Sequence, residues 1–542
     1  MGTAQPNHRP EDEDAPWFEA SIAQLQDLMA EGHLSSEELT QAYLSRGAAL
    51  DATLHAIIDT NPDALAIAAT LDVERAAGRV RGPLHGIPVL LKDNIATDDR
   101  METTAGSLAL VGSRVPGDAI IVTRLRDAGA VVLGKTNLSE WANFRGFVPD
   151  ALTAAGLFLN GWSARGGFTR NPYVLGWDPC GSSSGSAVAV ATNLCAVAIG
   201  TETDGSIVCP AGNNGIVGLK PTVGLIAQAG IIPISHSQDT AGPMGRTVSD
   251  VAILLNAMVS PFGDVKGKRI PSDYQRFLKR GALKGKRIGV DRRSFSADWD
   301  ADPSLIAVTE RALDVMRSLG ATIVDIVGPD PTTFHELETA VLLTESKVGL
   351  EVYLSRLTGT TLRTLADLIA FDRDHCDEEM PFFGQELFEI AESTKGLDDP
   401  AYLIARAACL DLTRTYGYDK LIADLTLDAF ASPTYSSGSN GPAVAGYPII
   451  SVPTGVAEDG RPGGIWLSAG FLDEPALLAM AYDLEQAVGR RPQPGYLGTI
   501  PDLPPDAGLC AVPFPGGVDS ADALEAGRMA VKRQPIRRFV AI

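Results

Sequence analysis

The chain has 542 residues, with 45 Lys and Arg against 67 Asp and Glu, so its formal net charge is −22. This acid excess argues against binding to nucleic acid or to an anionic membrane surface. Hydrophobic residues make up 45% of the chain and charged residues 21%, which is typical of a globular protein and not of a disordered one. No apolar run reaches the roughly 18 residues that a membrane span needs.

The N-terminal segment, residues 1–16, is polar and acidic and has neither the basic region nor the apolar core of a secretory signal. We therefore predict a flexible acidic leader over 1–16 and a cytoplasmic location. Residues 501–542, which are rich in proline and then basic, are predicted to form a C-terminal extension. Between them, the absence of internal repeats and long linkers favours one large domain over 17–500.

Helical patterning follows the leader, since Ile22, Leu25 and Leu28 recur at helical spacing. A capping box over 35–38 predicts the start of a second helix. From residue 84 the pattern becomes α/β. The elements predicted there are a strand over 87–91, a helix over 118–128, a strand over 130–133 and a loop over 134–137.

The later part of the chain repeats this pattern on both sides of a more polar, mainly helical region over 330–420. Short apolar runs there predict strands, and longer amphipathic runs predict helices. The predicted elements are strands over 287–290, 321–326, 448–456 and 464–469, and helices over 302–319 and 474–488.

The six cysteines are widely scattered and include no C-x-x-C pair. This pattern favours reduced, mostly buried thiols over a disulfide scaffold or a zinc site. Residues 372–379 (DRDHCDEE) contain metal-ligating residue types, but their spacing matches no specific site. We interpret this segment as a solvated acidic turn, and we predict neither a metal ion nor a cofactor.

Two loops of glycine and serine carry the strongest chemical signal in the chain. They span 180–186 (CGSSSGS) and 200–206 (GTETDGS), and a small, apolar segment that is expected to be buried, over 187–199, lies between them. A serine that follows glycine in a tight loop can expose its hydroxyl where backbone N–H groups converge to stabilise an oxyanion. A single loop of this kind is more often only a turn, but two such loops favour a nucleophilic site.

A serine nucleophile needs a base, and none of the seven histidines lies in a motif tied to these serines. Lys92 is the other candidate, because it ends an apolar, strand-like run in which burial would lower its pKa. A solvated surface charge is the more common role of a lysine at a strand end.

Several runs in the chain resemble the motifs of the amidase signature family. The resemblance is dense over 80–250, more variable over 260–425 and thinner over 425–490. It implies a single large α/β domain, with a mixed central β-sheet covered on both faces by α-helices. The matching runs are GIPVLLKDN (86–94) for the lysine motif, 180–186 and 203–211 for the two serine motifs, 218–224, 242–246 and, more loosely, 432–455.

In that family a Ser–Ser–Lys triad replaces Ser–His–Asp. The resemblance implies that Ser206 is the nucleophile, Ser182 the bridging serine with a cis peptide bond, and Lys92 the terminal base. It also implies that Ser183 is a supporting hydrogen-bond donor. The reaction would be amide hydrolysis through an acyl-Ser206 intermediate. The oxyanion hole would consist of the backbone N–H groups of Thr203, Asp204, Gly205 and Ser206.

Four positions depart from the common family pattern, namely Cys180, Ser184 and Asp204 where Gly is usual, and Val208 where Arg is usual. The runs TETDGSIVCP and QDTAGPM resemble the bacterial peptide amidase branch. Members of that branch remove ammonia from C-terminally amidated peptides. The departures argue against the glutaminase subunit of a tRNA-dependent amidotransferase.

An aromatic-rich segment lies between the lysine and serine motifs. Residues 141–177 contain 8 aromatic residues in 37 positions, against a chain average of 6%. Because this segment leads into the Ser182 loop, we expect it to line the acyl side of the pocket and to favour bulky or aromatic acyl groups. A satellite core is the equally supported alternative. The expected lining residues are Trp141, Phe144, Phe158, Trp162 and Phe168.

Other functions stay open at this point. An aryl-acylamide or carbamate (urethane) hydrolase would use the same triad with a different pocket. The run GSSSG also matches G-x-S-x-G, so a Ser–His–Asp esterase could use Ser183 with His335 or His375. An amidotransferase subunit with partner chains and a catalytically silent binding protein are further alternatives. The expected partner is a small-molecule or peptide amide substrate, and the expected assembly is a monomer or homodimer.

Overall fold

The computed structural model describes residues 10–148, 158–259, 264–299, 301–503, 508 and 510. Within these ranges no helix is long and apolar enough to cross a membrane. Residues 1–9 of the predicted leader, residues 149–157 of the aromatic-rich segment and most of the predicted C-terminal extension lie outside them.

The strands of the described residues belong to one large mixed sheet and two small hairpins. They are β1 (Ile57–Thr60), β2 (Pro88–Lys92), β3 (Val131–Thr136), β4 (Trp162–Ser163), β5 (Gly167–Phe168), β6 (Val197–Glu202), β7 (Val217–Lys220), β8 (Thr240–Gly245), β9 (Asp264–Val265), β10 (Lys268–Arg269), β11 (Arg287–Asp291), β12 (Thr322–Ile326), β13 (Ala429–Pro433), β14 (Ile449–Val456) and β15 (Pro462–Ser468). The large sheet has the order β1-β3-β2-β6-β8-β7-β14-β15-β13-β11-β12. Strand β2 runs parallel to β3 and β6, whereas β6 runs antiparallel to β8.

Helices cover both faces of this sheet, which confirms the predicted fold class. The α-helices are α1 (Pro10–Glu13), α2 (Ile22–Ala30), α3 (Ser36–Leu54), α4 (Ala64–Ala76), α5 (Ile120–Asp127), α6 (Ser184–Ala191), α7 (Val208–Asn213), α8 (Val248–Met258), α9 (Pro303–Ser318), α10 (Pro331–Leu354), α11 (Leu365–Asp374), α12 (Cys376–Glu379), α13 (Glu386–Glu392), α14 (Pro400–Leu410), α15 (Asp419–Leu425), α16 (Asn440–Ala445) and α17 (Glu474–Val488). Short 3₁₀ turns lie at Leu108–Leu110, Glu140–Asn143, Gln275–Phe277, Arg292–Phe295, Ala297–Trp299 and Ser437–Ser439, and a π-helical segment at Asp411–Tyr418.

Local sequence signals explain where several helices begin. Helix α3 starts at the predicted capping box, in which the Ser35 hydroxyl accepts from the Glu38 N–H and the Glu38 side chain accepts from the Ser35 N–H. Asp302 caps α9 through the Ser304 N–H, and Pro303 occupies the first turn. These contacts satisfy N–H groups that would otherwise lack a partner at the helix start.

The predicted loop over 134–137 is wrong, because β3 continues to Thr136. Lys135 is fully buried in this strand, and its ammonium donates to the carbonyls of Ile95 and Glu102 and to the Thr103 hydroxyl. A lysine in the sequence suggests a solvated position, although here its three donors are satisfied inside the protein. The single apolar segment predicted over 187–199 is divided between α6 and β6.

The solvated acidic turn predicted over 372–379 is also wrong for its most buried members. The Glu379 carboxylate is fully buried and accepts from the Ser107 hydroxyl and the Leu108 N–H, and it lies 3.4 Å from the Arg145 guanidinium. Asp372 is 1% exposed. The reason is that Arg145, more than 200 positions away in sequence, supplies a buried counter-charge that the local run does not reveal. No group of residues suited to a metal ion occurs in the described part of the chain.

The prediction of reduced cysteines is wrong for four of the six. Disulfides join Cys180 to Cys209 and Cys376 to Cys510, across 29 and 134 positions of sequence. The buried thiols are Cys195 and Cys409. The spacing of the cysteines in sequence did not reveal these pairs, because tertiary contacts between separate elements bring each pair together. Disulfides are more typical of oxidising compartments than of the cytoplasm, so the predicted location stays a prediction.

Candidate functional site

The three predicted site residues meet at one edge of the large sheet. Strands β2 and β6 are parallel neighbours, so their carboxyl ends lie side by side. Lys92 is the last residue of β2, and the loop that carries Ser206 follows β6 directly. Helix α6 packs against both strands and begins just after Ser182, which brings the first glycine–serine loop to the same edge.

A continuous hydrogen-bond chain connects these residues. The Lys92 Nζ lies 2.7 Å from the Ser182 Oγ, which lies 2.9 Å from the Ser206 Oγ. The Ser182 N–H also donates to the Ser206 Oγ at 3.0 Å. All three side chains are buried, and the Gly181–Ser182 peptide bond is cis, as the family resemblance implied.

The surroundings of Lys92 favour a neutral amine. Its Nζ donates to the Thr201 hydroxyl at 2.9 Å and to the Thr201 carbonyl at 3.2 Å. Full burial lowers the pKa of Lys92 from its ordinary value of 10.5 to about 7, although the carboxylates of Glu202 and Asp239 act in the opposite direction. The Asn94 side chain donates to the same Thr201 hydroxyl at 2.9 Å and fixes its position.

The loop 203–206 presents backbone N–H groups next to Ser206. Glu202 holds the far side of this loop, since its carboxylate accepts from the N–H groups of Ile207 at 2.7 Å and Val208 at 3.0 Å. Gly205 has a φ of 80°, a conformation that favours glycine and allows the tight turn. The Gly205 N–H donates to the Glu202 carboxylate, so it does not fit the predicted oxyanion hole. In the described residues, the N–H groups of Thr203, Asp204 and Ser206 have no backbone or side-chain acceptor. They are therefore free to bind an oxyanion.

Ser183 contacts the end of β6 and not the other serines' hydroxyls. Its Oγ donates to the Thr201 carbonyl at 3.1 Å and accepts from the Thr201 N–H at 3.2 Å. Its own N–H donates to the Ser206 carbonyl at 3.1 Å. This geometry favours a supporting role. His375 is exposed and stacks on Phe371, and its Nδ1 lies 3.0 Å from the Phe371 carbonyl.

The five predicted pocket residues separate into three groups. Trp141 and Phe144 are buried and pack in a cluster with α10 and α13 side chains, and they line a small cavity together with Asn94. Trp162 and Phe168 are buried against Phe382 and Phe383. Phe158 is half-buried and lies on Trp177, with ring centroids 4.9 Å apart.

Sequence reasoning missed several polar residues that shape the site. Thr201, Glu202 and Asn94 all lie inside or beside the quoted motifs, but their residue types alone did not reveal their partners. Asp239 accepts from the Thr203 hydroxyl at 2.6 Å and holds the start of the loop that follows β6. Asp204 accepts from the Asn440 side chain at 2.6 Å, and burial together with Glu338 raises the pKa of this carboxyl.

A model of the Amidase family matches residues 38–439 of this chain. The chain belongs to the amidase family. It is 41% identical to a probable amidase of Arabidopsis thaliana, over 88% of this chain and 92% of that protein. It is also 32% identical to a glutamyl-tRNA(Gln) amidotransferase subunit of a Synechococcus strain, over 88% of this chain and 99% of that protein.

Among solved structures, the native peptide amidase of Stenotrophomonas maltophilia is similar to this chain, with 49% identity and a TM-score of 0.81. The match covers 89% of this chain and 99% of that one. An amidase family protein of Bacillus anthracis matches with 34% identity and a TM-score of 0.80, over 89% of this chain and 94% of that one. These findings confirm the family resemblance and show an amide-hydrolysing enzyme with the amidase signature fold.

Proposed function

We propose that the protein hydrolyses the C-terminal carboxamides of peptides, and related amides with bulky or aromatic acyl groups, through an acyl-Ser206 intermediate. The observation that carries this proposal is the hydrogen-bond chain from Lys92 through Ser182 to Ser206. A serine nucleophile needs a base in contact with it, directly or through a relay. In this chain a buried amine with a pKa of about 7 stands at the end of such a relay.

In the first half-reaction, the neutral Lys92 amine takes the proton of the Ser182 hydroxyl, and Ser182 takes the proton of Ser206. The Ser206 oxygen bonds to the amide carbonyl carbon, and the carbonyl oxygen becomes an oxyanion. Hydroxyl groups can donate in either direction along the relay, because they rotate to suit their partners. The N–H groups of Thr203, Asp204 and Ser206 stabilise the oxyanion in a water-poor site.

The first half-reaction ends when the relay returns its proton to the amide nitrogen, the oxyanion re-forms the carbonyl, the C–N bond breaks and ammonia leaves. The second half-reaction is hydrolysis of the acyl-Ser206 enzyme. Water then attacks the acyl carbon and gives its proton to the same relay. The Ser206–acyl bond breaks, Ser206 regains its proton, and the product is a carboxylic acid. Each group of the relay therefore ends in its starting state.

The leaving group is the part of the proposal that rests on similarity. The chain shares 49% identity with a peptide amidase but 32% with the amidotransferase subunit of Synechococcus. Purified protein should release ammonia from N-acetylated amino-acid amides without added partner chains. A panel of peptide amides, anilides, carbamates and esters tests this. Higher kcat/KM for anilides or carbamates would favour the alternative hydrolases, and no turnover without partner chains would favour the transferase subunit.

Acid–base behaviour gives a second test. Because only the neutral Lys92 amine accepts a proton, kcat/KM should rise with pH through a midpoint near 7 and then level off. The rate rises with pH because the inactive protonated amine dominates below the midpoint and the active neutral amine dominates above it. The lowered pKa of Lys92 sets the midpoint. Rates of an uncharged amide measured between about pH 5 and about pH 9 check this. A rate that falls as pH rises through 7 would contradict it.

Ser183 separates this mechanism from the esterase alternative. The variant Ser183→Ala should lose about tenfold in kcat/KM, since it removes the hydrogen bonds to Thr201 but leaves the relay intact. The esterase mechanism instead predicts complete loss. Initial rates with one amide and one ester substrate distinguish the two. Ser186→Ala, whose hydroxyl bonds to Thr136 and Ile199 instead, serves as the matched control and should keep kcat/KM within about threefold.

Three half-buried aromatic side chains support the proposed acyl subsite. The ring centroids of Trp177 and Tyr435 lie 5.8 Å apart, and those of Trp177 and Phe158 lie 4.9 Å apart. The Arg461 guanidinium lies over the Trp177 ring, 4.0 Å from its centroid. Tyr435 also packs against the apolar cluster that contains Cys180 and Val208, next to the two serine loops. Its hydroxyl donates to Asp178 at 3.1 Å.

Replacing Trp177 with Ala should raise the KM for amides of aromatic residues about three- to tenfold and leave glycine amides unaffected, because one aromatic contact is lost. The measurement is the ratio of kcat/KM for N-acetyl-phenylalaninamide and N-acetyl-glycinamide. The control is Trp162→Phe, whose ring packs against Phe382 and Phe383; it should lower the melting temperature but not the ratio. An unchanged ratio in Trp177→Ala would contradict the subsite.

A further inference from the structure

The Cys180–Cys209 disulfide connects the two loops that form the candidate site. Cys180 lies two positions before Ser182, and Cys209 lies three positions after Ser206. The bond holds the two Cα atoms 5.8 Å apart, although the residues are 29 positions apart in sequence. Both side chains are buried, with exposures of 1% and 0%.

The residues around the disulfide fix each of its ends. The Cys180 N–H donates to the Asp178 carboxylate at 2.8 Å, and the Cys209 N–H donates to the Gly205 carbonyl at 2.8 Å. Trp466 packs against both cysteines, and its indole N–H donates to the Val208 carbonyl at 3.1 Å. One end of the disulfide therefore cannot move without displacing the Ser182 loop or the Ser206 loop.

Besides this bond, non-covalent contacts join the two loops, among them the hydrogen bonds from Ser182 and Ser183 to Ser206 and those between Ser183 and Thr201. Each of these can break in a thermal fluctuation, whereas a covalent bond limits how far the loops separate. Reacting groups that move by about 1 Å can lose about 100-fold in rate. A covalent link at this position therefore limits changes in the distance between the Ser182 and Ser206 hydroxyls.

We propose that Cys180 and Cys209 are positioning residues, whose disulfide keeps the Ser182 and Ser206 hydroxyls within hydrogen-bond distance of each other for proton transfer. This inference rests on the proposed roles of the two serines. It assigns a catalytic benefit to the bond in addition to a contribution to stability. Because Lys92 lies on β2 and is not held by the bond, the pH midpoint should not depend on it.

The test compares Cys180→Ala/Cys209→Ala with a matched control, Cys376→Ala/Cys510→Ala, which removes the other disulfide. In the first variant kcat should fall about 10- to 100-fold, with KM within about threefold of the wild type and the pH midpoint unchanged. The control should keep kcat within about twofold. A kcat within about twofold in Cys180→Ala/Cys209→Ala, or an equal loss of kcat in both variants, would overturn the proposal.

A second measurement on the wild-type enzyme covers the case in which that variant does not fold. Thiol titration of the denatured, unreduced chain should find two thiols, Cys195 and Cys409, and six would overturn the proposal. Because this disulfide is buried, the wild-type enzyme is treated with a water-soluble phosphine in urea below its unfolding midpoint, and kcat is assayed after both reagents are removed. It should decline in step with the fraction of Cys180 and Cys209 that is reduced, which alkylation of a denatured sample measures. Unchanged kcat after their reduction would overturn the proposal. An inactive wild-type enzyme would instead reject the proposed function itself.

Discussion

Replacing Ser206 with Ala should lower kcat by about 10³-fold or more, because the variant lacks the oxygen that forms the acyl-enzyme. The fold should survive, since the change removes one buried hydroxyl from a loop that Glu202 and the backbone still hold. Ammonia release from an N-acetylated amide measures the activity, and thermal unfolding measures the stability. Residual activity above about one part in a thousand would contradict the role of Ser206.

Ser186 provides the matched control for this substitution. It is equally buried, lies in α6 near the first serine loop, and hydrogen-bonds to the Thr136 hydroxyl and the Ile199 carbonyl. Ser186→Ala should retain kcat within about threefold and lose about 1 kcal/mol of unfolding free energy, as expected for a buried hydrogen bond. A similar loss of activity in both variants would show that Ser206→Ala acts through the fold.

Replacing Lys92 with Met should also lower kcat by about 10³-fold or more, since the relay would have no base at its end. Met keeps most of the apolar side-chain volume, so packing within β2 should change little. The acid limb of the pH profile should disappear together with the activity. The measurement is kcat from about pH 5 to about pH 9, with melting temperatures recorded in parallel.

Lys135→Met is the control for Lys92, because it removes a second buried lysine from the neighbouring strand β3. Burial lowers the pKa of Lys135 to about 8, and its three hydrogen bonds all go to the chain around 95–103. This variant should lose stability and keep most of its kcat per folded molecule. Lys92→Met with more than about one hundredth of the wild-type kcat would contradict the proposed base.

The elements that follow local rules were predictable. Helix α17 has the same bounds as the predicted 474–488, and β2 shifts by one residue from the predicted 87–91. For α17 the helical apolar period and the flanking residues determine the element, and for β2 a short continuous apolar run does so. The motifs also identified which Ser and Lys side chains the structure brings together.

Features that depend on distant partners were not predictable from one sequence. The run around Lys135 was predicted to be a loop, because the groups that accept hydrogen bonds from its buried ammonium lie 32 to 40 positions away in sequence. Glu379 suggested a solvated turn because Arg145 is distant in sequence. The two disulfides were not predicted for the same reason, since cysteines that are distant in sequence, such as Cys180 and Cys209, meet only in the folded chain. Composition likewise could not separate Phe158, which stays half-buried, from Trp162, which is enclosed by Phe382 and Phe383.

The most direct test of the proposed mechanism is to find which side chain forms the covalent intermediate. The enzyme is treated with a small fluorophosphonate, which phosphonylates activated serines and displaces fluoride, and tandem mass spectrometry then maps the adduct. The mechanism predicts one adduct per chain, on Ser206, and much slower labelling of Lys92→Met. An adduct on Ser183, or equally fast labelling of Ser206→Ala at another residue, would contradict it.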